Sequence, residues 1–116
     1  MPMQVDVQLS QSVMEAARRA PELQALGVRV AEWGIKKMKT KWGTCSVEAR
    51  RIWLNLELAK KPVQCLEYIV VHELVHLIER HHNDRFVSIM DKHLPQWRLY
   101  RQELNAAPLA HEAWSY

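Results

Sequence analysis

Residues 65–78, Cys65-Leu66-Glu67-Tyr68-Ile69-Val70-Val71-His72-Glu73-Leu74-Val75-His76-Leu77-Ile78, are apolar nearly all round a helix. A helix of that kind has to be enclosed by the rest of the chain. It is too short for the ~18 apolar residues of a membrane span, so the fold has to be a globular one wrapped around this segment. The segment is interrupted at His72, Glu73 and His76, the pattern HExxH. Residues four apart on a helix lie one above the other, so both imidazoles can reach one metal ion. Burying two imidazoles and a carboxylate costs several kcal/mol, as an order of magnitude, unless something compensates. A metal compensates, whereas two ordinary core histidines leave Glu73 without a purpose.

Glu73 projects about 100° round the helix from His72. That direction keeps it out of the ligand plane and lets it reach a water on the metal, the position of a general base. Zn²⁺ lowers the pKa of such a water to about 7, and a neighbouring carboxylate can take its proton as a polarised carbonyl is attacked. A catalytic zinc site needs a third protein ligand and an open fourth position. Glu79, His81, His82 and His93 are the candidates. His82 is favoured because it lies ten residues beyond His72, just past the helix end, where the chain can turn back under the metal. His81 is its nearest rival, otherwise a solvated loop histidine, and Glu79 reads more naturally as a carboxylate outside the ligand set.

Around this helix the chain reads as α+β. Ser12 and Glu15 have capping-box spacing and open an N-terminal helical segment over 1–27. Residues 28–58 read as two or three antiparallel strands, with Ile52, Leu54, Leu56 and Leu58 alternating with Trp53, Asn55 and Glu57 and with 46–50 as a hairpin connection. Pro62 closes the sheet region. Asn83 caps a following helix, Pro95 breaks it, and a last short helix starts at Trp97, so 63–107 form the metal-binding and C-terminal helices. No repeat or flexible linker divides the 116 residues, which are expected to form a single domain.

A net charge of +3 permits an anionic partner without demanding one. Lys37, Lys39 and Lys41 would share one face of a strand, so Lys39 and Lys41 are candidate substrate contacts along a phosphate track, with Asn55 beside them. Such a run is more often a solvated sheet edge. The five tryptophans suit a core better than base stacking. Cys45 and Cys65 are twenty apart and read as packed thiols. Tyr100, His93 and Arg98 are candidate donors to a transition state, and residues 52–56 are the expected strand for pairing with an extended peptide. The opening residues lack a signal peptide, which points to the cytoplasm.

The ordered series Met38-Lys39-Thr40-Lys41-Trp42-Gly43-Thr44-Cys45-Ser46, Ile52-Trp53-Leu54-Asn55-Leu56, His72-Glu73-Leu74-Val75-His76-Leu77 with His82 and Phe86, Leu94-Pro95-Gln96-Trp97 and Leu104-Asn105 resembles the YgjP-like metallopeptidase family, related to SprT-like and other minimal zincins. The resemblance implies a minimal zincin-like α+β domain, a small sheet packed on helices with HExxH on the central one. It also implies zinc on His72, His76 and His82 and catalysis by Glu73. Metzincins, which share the ten-residue spacing to the third histidine, carry glycine where this chain has Glu79, so their turn is not expected here. The resulting expectation is a zinc-dependent hydrolase acting on polypeptide. Two alternatives remain: a nucleoside triphosphate pyrophosphatase on the same metal site, or a non-catalytic zinc-clamped module associated with nucleic acid. Nothing in the sequence indicates an oligomeric state.

Overall fold

The computed structural model describes residues 29–106 and Trp114. The expected N-terminal helical segment over 1–27 lies outside the described residues. Three strands, β1 (Glu32–Lys36), β2 (Gly43–Ser46) and β3 (Arg51–Asn55), form one sheet in the order β1-β3-β2. The period-2 pattern works as expected in β3: Ile52 and Leu54 are buried in the core, while Arg51 and Trp53 point to the half-covered opposite face. On that outer face the Trp53 ring lies across Gly34, where no Cβ fits, and receives the Lys36 ammonium 4.8 Å from its centroid.

The sheet is mixed, which corrects the expectation of a wholly antiparallel one. β2 and β3 form the expected hairpin through 47–50, with Arg50 in the left-handed region at φ 52°, but β1 runs parallel to β3. Residues 37–42 carry the chain from β1 past the end of β3 to the opposite edge. The crossing is pinned by Asn55, which is fully buried. Its amide Nδ2 donates to the carbonyls of Met38 (2.9 Å) and Lys41 (2.8 Å), and its backbone N–H donates to Trp42 O (3.0 Å). Alternation along a strand reports which face is buried and carries no information about neighbours, so the sequence pattern could not separate the two arrangements.

Two further expectations change here. The apolar alternation through Leu58 does not continue the strand: Asn55 Oδ1 accepts from Glu57 N at 3.0 Å and starts a 3₁₀ turn, Leu56–Lys60, that buries Leu58. Residues 37–41 form a loop, so Lys37, Lys39 and Lys41 share no strand face.

Helix α1 (Val63–His76) begins just after Pro62, whose missing N–H costs nothing at a helix start. Its residues 65, 66 and 68–75 are all buried, between β2 and β3 on one side and helices α2 (Asp84–His93) and α3 (Trp97–Asn105) on the other. Both outer helices are amphipathic, presenting Phe86 and Met90, and Trp97 and Leu104, to α1. Each such large apolar side chain contributes about 1.5–3 kcal/mol by leaving water. Trp97 stacks on Tyr68 of α1 with centroids 6.2 Å apart, and Trp42 is equally buried, whereas Trp33 and Trp53 are half-covered. Asn83 caps α2 through Phe86 N at 3.0 Å, and the chain turns at 94–96 into α3. Among the described residues, no helix is long and apolar enough to cross a membrane.

Candidate metal centre

Helix α1 places His72 and His76 one turn apart on the same face, both rings against Phe86 of α2. The chain leaves the helix at Leu77, and residues 79–83 double back. The turn is held by a hydrogen bond from Asn83 Nδ2 to Glu79 Oε1 and by the Asn83 cap on α2. The reversal brings His82 to the helical pair. His82 Nε2 lies 2.9 Å from His76 Nε2 and 3.3 Å from His72 Nε2. Three nitrogens bound tetrahedrally at zinc–nitrogen distances of about 2.0–2.1 Å stand about 3.3 Å apart. These residues therefore fit a zinc ion with little adjustment. Among the described residues, His72, His76 and His82 form the one cluster whose ligand atoms all lie within 4.8 Å of one another; His81, Glu79 and His93 are not in it.

The imidazoles share an aromatic floor. Phe86, fully buried on α2, lies 5.0, 4.7 and 4.9 Å from the ring centroids of His72, His76 and His82. His76 Nδ1 lies 3.2 Å from the Glu79 carbonyl, which accepts its proton and leaves Nε2 free to ligate. Burial lowers the pKa of all three histidines, and for His72 and His82 the neighbouring imidazoles add to it. Neutral imidazole is the form that takes a metal.

Glu73 is almost wholly buried beside this cluster, its Oε2 3.9 Å from His72 Nε2. Burial pushes its pKa up to about 8, and the charge of Lys41 works against the rise. A carboxyl so placed has a proton affinity suited to exchange near neutral pH.

An open cleft of about 510 Å³ runs between β2 and α1 over these groups. Gly43 meets Glu73 at one end, where a Cβ on the glycine would stand 3.1 Å from Glu73 Oε2. Arg80 meets Glu48 at the other, Nη2 to Oε1 2.6 Å. Thr44, Cys45 and Val47 form one wall and Trp114 another. Cys45 is half-buried on the cleft rather than packed away. Burial, then the Glu73 charge, pushes its thiol up to about 12, so it stays protonated. Cys65 is buried as expected.

Of the candidate substrate contacts, Lys41 lines the cleft; Lys39 and Asn55 do not. Asn55 is instead the pin of the crossing loop. Tyr100, His93 and Arg98 also lie off the cleft, and Arg98 is held by Asp91 at 2.6 Å. Strand β3 cannot accept an added peptide because both its edges are paired; the sheet edge on the cleft is β2. Sequence reasoning did not find Arg80, Glu48 or Trp114. Trp114 carries no motif, yet its backbone makes two hydrogen bonds with the Asn105 side chain, 2.7 and 2.8 Å, and its ring sits 5.2 Å from that of His72.

The family described as YgjP-like, metallopeptidase domain, matches residues 9–107. No curated protein matches the chain. Two solved structures share the fold. One is the metallopeptidase zymogen abylysin of Pyrococcus abyssi, 19% identical, covering 81% of this chain and 89% of that one at a TM-score of 0.64. The other is the metallopeptidase zymogen jannalysin of Methanocaldococcus jannaschii, 22% identical, with coverage of 78% and 90% and a TM-score of 0.57.

Proposed function

The chain belongs to the YgjP-like metallopeptidase family, and from that premise we propose that it is a zinc-dependent peptidase in which His72, His76 and His82 hold the metal and Glu73 is the general base. The observation that carries this reading is the convergence of three imidazole Nε2 atoms beside a buried carboxylate, in a cleft lined by strand β2. A zinc ion held by His72, His76 and His82 would supply Lewis acidity at the scissile carbonyl. The residues of the chain do the rest. Strand β2, whose outer edge has no strand partner among the described residues, offers that edge to the substrate backbone and fixes the scissile peptide against α1. Glu73, as carboxylate, takes the proton of the water that attacks the scissile carbonyl. The same carboxyl then returns the proton to the departing amine.

Polypeptide is favoured over a nucleoside triphosphate because the lysine track loses its strand face, so that only Lys41 of the run lines the cleft, and because Arg80 is already paired with Glu48. A purely structural zinc clamp has no use for a carboxylate against an open position. Glu73→Gln should keep zinc and fold while lowering cleavage of an unstructured polypeptide by about 10²–10⁴-fold. Cleavage that survives the substitution would sink the mechanism. Zinc-dependent hydrolysis of triphosphates with no proteolysis would overturn the substrate class.

A further inference from the structure

Among the described residues, four buried side-chain polar atoms have no hydrogen-bond partner: Arg51 Nε, Tyr68 Oη, His72 Nδ1 and Trp114 Nε1. Arg51 is at the start of β3, away from the rest. The other three gather on one side of the metal centre. Tyr68 precedes His72 by one helical turn on the same face of α1, with ring centroids 5.9 Å apart at 73°, and Trp114 lies 5.2 Å from the His72 ring. The Trp114 indole stands near enough to the Tyr68 hydroxyl to oppose the rise that burial gives the phenol's pKa, although neither atom has a hydrogen-bond partner.

The donor and acceptor count decides what these atoms do for one another. A histidine that ligates through Nε2 carries its proton on Nδ1 and needs an acceptor there. His76 has one, the Glu79 carbonyl. His72 has none assigned, and the Trp114 indole is a second donor. Of the three atoms, only the Tyr68 oxygen can accept, and it has lone pairs for two donors. Orphaned buried donors cost about 1–3 kcal/mol each, so such a cluster closes on itself where it can.

We propose that Tyr68 is a positioning residue for the metal: its hydroxyl, directly or across one buried water, accepts the Nδ1 proton of His72 and the indole proton of Trp114. It thereby fixes the His72 ring for ligation through Nε2 and ties the Asn105-anchored Trp114 to the centre. The proposal rests on the reading that His72 is a zinc ligand.

The test is zinc affinity of the full chain by chelator competition, for wild type and Tyr68→Phe. The expected result is a 10–100-fold loss of affinity, the usual effect of removing a ligand's outer partner. The metal-free melting temperature should not fall, because phenylalanine leaves the ring stack and removes a hydroxyl. In zinc-loaded protein, the His72 Nδ1–H resonance should move in Tyr68→Phe while that of His76, bonded to Glu79, stays. Affinity within twofold of wild type overturns the proposal and leaves the zinc reading intact; wild type that binds no zinc overturns both. If Tyr68→Phe does not fold, the wild-type spectrum decides. An exchange-protected His72 Nδ1–H in contact with the Tyr68 ring supports the proposal, and a rapidly exchanging one refutes it.

Discussion

Gly43 on β2 packs directly against Ile69 and Glu73 on α1, so Gly43→Ala tests whether that contact aims Glu73 for its proposed role as base. A Cβ there would meet Ile69 Cγ2 at 2.8 Å, Glu73 Oε2 at 3.1 Å and Glu73 Cγ at 3.2 Å. Ordinary carbon contacts are about 3.5–4.0 Å, so the Ile69 clash alone asks for a shift of about 0.7 Å. Ile69 cannot readily yield, being fully buried and β-branched on a helix with one strongly preferred rotamer. The shift therefore falls on β2 or on the Glu73 side chain. Overpacking of this kind costs about 1–3 kcal/mol, or a fall in Tm of roughly 4 °C or more. A base displaced by about 1 Å can cost 10²-fold in rate, so a loss in kcat/KM of about 10- to 100-fold is expected. Zinc affinity should hold, since none of the three histidines is among the atoms the Cβ would crowd. The assay pairs peptide cleavage with thermal unfolding and zinc titration. Wild-type activity and stability in Gly43→Ala would refute the claim that the β2–α1 contact positions the base.

Three other outcomes follow from the same geometry. His82→Ala should lower zinc affinity on the order of 100-fold or more, while His81→Ala leaves it unchanged; the reverse, by chelator competition, would move the third ligand. Asn55→Ala strands the carbonyls of Met38 and Lys41 and the N–H of Glu57, so denaturant unfolding should show a loss of about 2–4 kcal/mol; a neutral result would return Asn55 to the substrate contacts. Metal-free protein should lose stability as pH rises from about 7 to 8. Raising the Glu73 pKa from 4.5 to about 8 gives stability that is complete below 4.5 and is lost as pH climbs through 8, up to about 5 kcal/mol. The histidines, whose folded pKa values are lowered from 6.5, act in the opposite sense, and their contribution is nearly complete only about one pH unit above that value. A fall in melting temperature between about pH 7 and 8 that persists in Glu73→Gln would show that another group is responsible.

What the sequence determined by itself is whatever a single helix or turn encodes. The four-residue spacing of His72 and His76 fixes a shared face, Glu73 follows from the helical rotation, the apolar run of α1 demands enclosure, and Asn83 announces the start of α2. His82 was within reach of the sequence because only a few residues separate it from the helix end. The mixed sheet, the 3₁₀ turn after Asn55 and the identity of the cleft edge were decided by tertiary structure. Strand alternation says which side chains are buried but is blind to which strand lies alongside. Asn55 shows the cost of that blindness: it looks like a polar contact on a strand and is buried, holding a loop crossing whose existence depends on strand order. Trp114 and Arg80 reach the site from parts of the chain with no local pattern, through contacts with Asn105 and Glu48 that span 9 and 32 residues. Separations of that kind leave no periodic trace, because the energy that favours them arises only after the core has brought the partners together.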